Sequence, residues 1–233
     1  ENEMIFIQLF APVSSTYTYL LAERQGGEAL LIDPVLERAD QYVRLVEELD
    51  LRLVLAMDTH IHADHVTALG TLRERTDCAT AMGDMARAEC VTVRYREGEK
   101  LCVDGLCLDV LYTPGHTDDS YSFVLANRVF TGDTLLIRGT GRTDFQNGDP
   151  AAQYDSLFGR LLQLPDDVPD ALGAAAHRVD DVVDELGVAL VLLGVLDDQG
   201  GLGAQVVAQR VAGFIERHGR GGRDRDRGDL QRM

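Results

Sequence analysis

The sequence is poor in positive charge. In 233 residues, 22 lysines and arginines face 39 aspartates and glutamates, which gives a net charge of -17, and lysine occurs once, at Lys100. Such a surface repels phosphate backbones and anionic lipid, so it argues against nucleic acid or a membrane as partner. No apolar run approaches the roughly 20 residues of a membrane span, and the first ten residues lack a signal-peptide pattern. We predict a soluble, cytoplasmic protein; a mitochondrial matrix location would require that a transit peptide had been removed.

Tryptophan is absent and cysteine is scarce, with Cys78, Cys90, Cys102 and Cys107 as the complete set. Their spacings match no zinc-ribbon pattern, and a chain of this size does not depend on disulfides for its core. We therefore expect reduced, structural cysteines. The apolar fraction of 45% suits one α/β domain with a substantial core. A homo-oligomer is left open.

Apolar periodicity predicts a β-rich chain with helices outside. Residues 28–33 and 51–57 have strand patterns on either side of a helical pattern at 39–49, an order that predicts a parallel crossover. Further predicted elements are two strands within 4–22, a helix at 66–75, hairpins within 102–112 and 120–130, and a helix at 150–164.

The composition changes abruptly near Asp167. From residue 168 onward there is no lysine, asparagine or tyrosine, and valine, leucine, glycine, aspartate and arginine dominate. We therefore predict a catalytic core over 4–167, an atypical segment over 168–218 that completes the fold, and a disordered tail over 219–233.

A histidine cluster follows the predicted strand at 51–57. Three of the six histidines fall within six residues, His60, His62 and His65, together with Asp64. In extended backbone His60 and His62 point to the same side, and the next turn brings Asp64 and His65 to the same cleft. Imidazoles and a carboxylate that converge on one point predict a transition-metal site.

Two more residues fit this cleft. His116 lies in the sequence Thr-Pro-Gly-His-Thr and Asp133 in Thr-Gly-Asp-Thr, and each follows a predicted strand. Either residue alone would be weak support, because turns often carry such residues. With the cluster, both become candidate metal ligands.

The three motifs HxHxDH, PGH and TGD, in this order, resemble the metallo-β-lactamase superfamily over residues 4–167. The resemblance implies an α/β fold, a four-layer αβ/βα sandwich with a metal site at one edge. The segment 137–146, IRGTGRTDFQ, is similar to the persulfide dioxygenase branch and is the most specific of the motifs.

In that branch the resemblance implies one Fe(II) per chain, held by His60, His116 and Asp133. It also implies that glutathione persulfide and O2 are the substrates, with sulfite and glutathione as products. A site of two imidazoles and one carboxylate leaves open positions at which a sulfur ligand and O2 can meet.

Other residues of the cleft receive supporting roles. We assign Asp64, His65 and Arg142 to catalysis, with Arg142 in contact with substrate or with groups that support the metal ligands. His62 and Asp58 are expected to form hydrogen bonds near the ligands; for Asp58 an equal alternative is capping of the loop. Arg138 is expected to form a structural ion pair.

Two other functions remain open. One is a glyoxalase II-like hydroxyacylglutathione hydrolase with two metal ions, zinc being the alternative cofactor. That branch requires a PxHD motif, which is missing; His177 is the substitute nearby, and its context is that of an exposed helix residue. The other is a catalytically impaired homologue, since the missing motif and the altered composition suggest a divergent or out-of-frame segment after about Asp167.

Overall fold

Two β-sheets form the centre of the molecule. The computed structural model describes residues 4–126, 128–136 and 139–164. In that part of the chain, a six-stranded sheet has the order β1-β2-β3-β4-β5-β6 and a four-stranded antiparallel sheet the order β10-β9-β8-β7. The strands are β1 Ile5–Ala11, β2 Thr16–Ala22, β3 Glu28–Ile32, β4 Arg52–Met57, β5 Ala79–Gly83, β6 Val93–Tyr95, β7 Lys100–Val103, β8 Leu106–Tyr112, β9 Tyr121–Leu125 and β10 Arg128–Phe130.

Helices cover the outer faces of both sheets. The helices are α1 Ala39–Glu48, α2 Leu69–Thr76 and α3 Pro150–Gly159. Tyr42 and Val46 of α1 and Leu72 of α2 pack on the six-stranded sheet, while a second core that includes Phe123 fills the space between the sheets. Leu157 belongs to a third cluster, against the other face of the four-stranded sheet. This order of layers is the predicted αβ/βα sandwich, and it is confirmed.

Most predicted elements are present. The crossover β3-α1-β4 is parallel, as predicted. The helix expected at 66–75 begins only at Leu69, because Val66 accepts a hydrogen bond from the amide of Leu36 and Thr67 forms an isolated bridge with Val35. The helix expected at 150–164 ends at Gly159 and is followed by a 3₁₀ turn.

The expectation of reduced cysteines is wrong for one pair. Cys102 on β7 and Cys107 on β8 lie directly opposite each other in the hairpin register, with Cα atoms 4.1 Å apart, and form a disulfide. Cys78 and Cys90 are free. Spacing motifs did not predict the disulfide because it follows from the register around the Asp104-Gly105 turn.

The described residues fall within the predicted core at 4–167. The segments 168–218 and 219–233, and with them His177, lie outside the described residues. Among the helices of the described part, none has the length and apolar character needed to cross a bilayer.

Candidate metal centre

The histidine loop starts where β4 ends, and Asp33 anchors it. Asp33 directly follows the neighbouring parallel strand β3. Its carboxylate accepts hydrogen bonds from the Thr59 amide at 2.7 Å and from the Thr59 hydroxyl at 3.0 and 3.1 Å. Because parallel strands end at the same edge of a sheet, an acid after β3 can hold the loop after β4.

The Thr59 hydroxyl also determines the tautomer of His60. Its single proton is donated to Asp33, so its oxygen accepts from the Nδ1–H of His60, 3.0 Å away. The Nε2 lone pair of His60 is then free for a metal. Burial lowers the pKa of His60 well below its usual value, and the neighbouring histidines lower it further. His60 is therefore a neutral imidazole, the form that can bind a metal.

His116 is oriented in the same way from another loop. Its Nδ1 lies 2.8 Å from the carbonyl oxygen of Arg142, which can only accept, so Nδ1 carries the proton. Its Nε2 lies 3.5 Å from Oδ2 of Asp133. A metal ion bound at about 2 Å from each atom fits between them.

Helix α3 holds the turns that carry His116 and Asp133. The Ser156 hydroxyl donates to the carbonyl of Pro114 at 2.6 Å, and the Asp149 amide donates to that of Gly115 at 2.8 Å. The Gln153 side chain donates to the carbonyl of Thr134 at 2.5 Å. The first turns of α3 therefore set the separation of His116 and Asp133.

The three predicted ligands converge. One nitrogen each from His60 and His116 and one carboxylate oxygen of Asp133 lie within 4.8 Å of one another. Burial raises the pKa of Asp133, and this effect is larger than the lowering caused by His116 and His62. A bound cation would favour the ionised form of this carboxylate. The ligand set thus fits one metal ion, and its assignment stays a prediction.

Gly141 permits this convergence. Its amide donates to the carbonyl of Asp133 at 2.7 Å. A Cβ atom at this position would lie 2.5 Å from that carbonyl oxygen and 2.6 Å from Nδ1 of His116, closer than atoms can approach.

We expect Gly141→Ala to lower metal affinity at least about 10-fold, the lower end of the effect of disturbing groups that orient a ligand. Gly139→Ala is the control, since its Cβ would meet nothing within 4 Å. Metal content after desalting and titration with a competing chelator measure the effect. Equal affinity in the two variants would contradict the steric argument.

His62 points at Asp33 as well. Its Nε2 lies 3.2 Å from Oδ1 of Asp33, and its Nδ1 lies 3.8 Å from Oδ1 of Asp64. Burial alone would lower its pKa, but the hydrogen bond and charge of Asp33, with the charges of Asp58 and Asp64, raise the pKa to about 9. Without metal, His62 is a buried cation paired with Asp33.

Asp64 and His65 form a second group on the rim. The Thr16 hydroxyl donates to Asp64 at 3.2 Å, and Nδ1 of His65 lies 3.2 Å from the same carboxylate. His65 Nε2 is buried without a hydrogen-bond partner among the described residues. With His62, these residues form another candidate metal group.

Asp58 lies behind the loop in full burial. Neither carboxylate oxygen has a hydrogen-bond partner in the described part of the chain, so the predicted hydrogen bond to an imidazole is not present. The backbone of Asp58 takes part instead: its amide donates to Ala81, and its carbonyl accepts from the Tyr95 hydroxyl. Burial raises the pKa of Asp58 to about 7, with His62 lowering and Asp33 raising it.

The raised pKa of Asp58 predicts a pH dependence in the metal-free protein. The unfolded chain releases this proton near pH 4, whereas the folded chain keeps it to about pH 7. Wild-type stability therefore falls with rising pH in this window, by up to about 1.4 kcal/mol per pH unit from this group. Relative to wild type, Asp58→Asn should gain stability between pH 4 and 7. Urea denaturation at pH values from 4 to 7 measures the free energy of unfolding, with Glu89→Gln at an exposed position as control. A difference in this free energy between Asp58→Asn and wild type that does not change with pH would contradict the prediction.

Arg142 serves the site through its backbone. Its carbonyl accepts from His116, while its guanidinium forms two hydrogen bonds with Asp144, at 2.7 and 2.9 Å, on the exposed surface. The sequence predicts a structural ion pair at Arg138 and, for Arg142, contact with substrate or with groups that support the metal ligands. The pair lies at Arg142, and Arg138 lies outside the described residues.

Sequence reasoning missed Asp33, Thr59 and Gln146. Gln146 donates to the carbonyl of Ile61 at 3.1 Å and so supports the histidine loop from the opposite side. For Asp33 a signal existed: it ends a strand next to the one that leads to His60.

Comparison with known proteins agrees with the predicted metallo-β-lactamase fold. The sequence profile of the Metallo-beta-lactamase superfamily matches residues 11–98. The human mitochondrial persulfide dioxygenase ETHE1 is 43% identical over 163 residues, 69% of this chain and 64% of the human protein. The chain thus matches less than two thirds of that relative.

Two further relatives are matched over more of their length. The crystal structure of ETHE1 from Myxococcus xanthus has a TM-score of 0.76 and 41% identity, covering 91% of this chain and 98% of that one. The hydroxyacylglutathione hydrolase GloC of Haemophilus influenzae is 33% identical over 60% of this chain and 76% of its own. The chain belongs to the metallo-β-lactamase superfamily, in its persulfide dioxygenase branch.

Proposed function

We propose that this protein is a persulfide dioxygenase that uses one ferrous ion. In the proposed reaction, glutathione persulfide, O2 and water yield glutathione and sulfurous acid, which ionises to sulfite; atoms and charges balance. The observation that carries the proposal is the convergence of His60, His116 and Asp133 with both Nε2 lone pairs free. The similarity to enzymes named persulfide dioxygenase supports it.

The ligand set suits this chemistry. Two neutral imidazoles and one carboxylate are the facial arrangement associated with Fe(II) oxygenases. Iron held by His60, His116 and Asp133 would supply the redox chemistry that joins O2 to the outer sulfur of the persulfide. The protein side of the site orients the ligands: Asp33 acts through Thr59 on His60, and Arg142 acts through its carbonyl on His116.

His62 lies beside His60, with ring centres 4.1 Å apart, and His65 lies beside His62, with ring centres 4.2 Å apart. In the metal-free protein His62 carries a proton between Asp33 and Asp64, and His65 presents a buried nitrogen without partner among the described residues. We propose that these two side chains, with Asp64, bind and orient the substrate or water. Arg142 takes part through its carbonyl and not, as predicted, through its side chain, because its guanidinium is paired with Asp144.

A second candidate is hydroxyacylglutathione hydrolysis. It is favoured by the group His62, Asp64 and His65 and by the similarity to GloC. Oxygen consumption with glutathione persulfide supports the dioxygenase, cleavage of S-lactoylglutathione supports the hydrolase, and neither activity would support an impaired homologue. Cytoplasmic location and a homo-oligomer stay predictions.

Metal stoichiometry separates the two functions independently of turnover. Protein purified anaerobically and supplied with Fe(II) is expected to hold about one iron per chain, because His60, His116 and Asp133 complete one site. The second group offers His62, Asp64 and His65 but lacks a recognisable fourth ligand in the described residues. Elemental analysis after desalting measures the ratio. Two tightly held metals per chain, in particular zinc, would overturn the mononuclear assignment.

A further inference from the structure

The disulfide between Cys102 and Cys107 lies on the outer face of the four-stranded sheet. Leu106 and Leu108 of β8 belong to the core between the sheets, so Cys107 between them points to the opposite face, as does Cys102 across the ladder. Cys102 is exposed and Cys107 is half-buried. Soluble molecules can therefore reach the disulfide.

The disulfide and the candidate metal centre belong to opposite ends of β8. Cys107 is the second residue of this strand, whereas His116 follows its other end at Tyr112. The strand covers about 17 Å from Cys107 to Tyr112, at about 3.4 Å for each residue. The disulfide is therefore a separate site and not part of the metal cluster.

The hairpin that carries the disulfide is also held by other contacts. Its turn, Asp104-Gly105, has a positive φ at both residues, as the common two-residue hairpin turn requires. The Asp104 carboxylate forms an ion pair with Arg24 at 3.2 Å and accepts a hydrogen bond from the Glu28 amide at 3.4 Å. These contacts tie the turn to the other sheet, so we expect the hairpin to persist when the disulfide is reduced.

The short loop that the disulfide closes limits its structural value. The two cysteines are 5 positions apart. Stabilisation by a disulfide grows with the length of the loop that it closes, so this bond stabilises the fold less than a long-range disulfide would. Exposed disulfides are also more easily reduced than buried structural ones. Both properties are those of a reactive disulfide.

The charges beside the disulfide are paired. Lys100 and Asp109, the next opposed residues on the same face, lie 2.9 Å apart, and Asp104 is paired with Arg24. The chain as a whole has a net charge of -17 and repels anions. An anionic thiol meets less of this repulsion where the nearest acids are neutralised.

We propose that Cys102 and Cys107 form a redox site that exchanges with small soluble thiols such as glutathione. A thiolate attacks the sulfur of Cys102, the more exposed residue; the bond between the cysteines breaks, and Cys107 leaves as a thiolate. A second thiolate attacks the outer sulfur of this mixed disulfide and releases Cys102.

The two steps balance. Two thiols are oxidised to one small-molecule disulfide, and the protein disulfide gains their two electrons and two protons and becomes two thiols. In the reverse direction Cys102 takes up one half of an oxidised thiol and Cys107 displaces it. The reduced fraction of the pair therefore follows the ratio of reduced to oxidised thiol, and this chemistry does not depend on the function proposed above.

The first test is reduction of the native full-length chain by millimolar glutathione. The chain carries Cys90→Ser, because Cys90 is exposed and would itself react. Alkylation and peptide mass spectrometry should find Cys102 and Cys107 blocked before treatment and labelled after it, with an unchanged far-UV circular dichroism spectrum and metal content. The rates of reduction in buffer and in urea should agree within about 10-fold, because access does not limit the reaction of an exposed disulfide.

The second test assigns the two cysteines. With oxidised glutathione, Cys107→Ser in the same chain should keep one glutathione on Cys102, whereas the reduced chain with both cysteines should re-form its disulfide and keep none. Cys102→Ser should acquire the adduct more slowly, because Cys107 is half-buried.

Three results would overturn the proposal. The first is a disulfide that glutathione opens only in urea, which would show a structural bond. The second is a reduced chain that loses its circular dichroism spectrum, which would show that the fold depends on the disulfide. The third is a chain that retains glutathione on Cys102 although Cys107 is present.

Discussion

Asp133→Ala is expected to purify without iron, whereas Asp64→Ala keeps most of it. Within the described residues, Asp133 is the carboxylate grouped with His60 and His116, and its Oδ2 is 3.5 Å from Nε2 of His116. Its removal takes away a ligand and the negative charge that offsets the cation. Loss of a group that merely orients a ligand weakens binding about 10- to 100-fold, so loss of the ligand itself should do at least that.

Asp64 is the matched control for Asp133. Both carboxylates are 44% exposed and lie next to a histidine, but Asp64 contacts His65 and Thr16 and is not grouped with His60 and His116. Metal content by elemental analysis after anaerobic loading and desalting is the measurement. Equal metal loss in the two variants would contradict the mononuclear assignment and favour a shared dinuclear centre.

Asp33→Ala should produce the largest loss of stability of any substitution considered, about 3–5 kcal/mol in the metal-free protein at pH 7. The variant removes the ion pair that keeps His62 protonated in the interior, and it removes the acceptor for the Thr59 amide and hydroxyl. Urea denaturation of chelator-treated protein measures the free energy of unfolding.

The sign of the pH dependence follows from His62. Its pKa in the folded protein, about 9, lies above its ordinary value of 6.5, so the stabilisation from its ion pair is complete below pH 6.5 and is lost as pH rises through 9. The effect of Asp33→Ala should therefore be smaller at pH 10 than at pH 7. Asp109→Ala is the control: its pair with Lys100 is exposed and should contribute at most about 1 kcal/mol. A loss at Asp33 no larger than at Asp109 would refute the role of the buried pair.

The elements of the first crossover could be predicted because apolar periodicity reports burial, whereas the four layers were implied by the family resemblance. The strands β3 and β4 and the helix α1 between them were all predicted within a residue or two. By contrast, β5 has the sequence ATAMG, which is made largely of small residues, and β6 has three residues. The burial of these two strands depends on the residues that pack over them, and the sequences of the strands themselves do not indicate those residues.

The candidate ligands could be predicted because HxHxDH, PGH and TGD are local patterns of side chains. Asp33 belongs to no such local pattern, since its partner Thr59 is 26 residues away; its one signal is its position at the end of a strand predicted to be parallel to the strand before His60. The register that joins Ile32 to Met57 places the residues after both strands side by side. Arg142 shows a second limit of prediction from sequence motifs. A motif predicts a role for a side chain, whereas the contact of Arg142 with His116 is made by its backbone carbonyl.

The attachment of α3 to the carbonyls of Pro114, Gly115 and Thr134 has a consequence for how the protein acquires its metal during synthesis. The six-stranded sheet and His60 are complete in sequence by residue 95, yet the turns that carry His116 and Asp133 obtain these contacts only from residues 149–156. We therefore expect the first sheet of a growing chain to form before its metal centre is complete. A metal ion would then bind to a scaffold that is already folded, so metal scarcity should lead to folded, empty protein rather than to degraded chains.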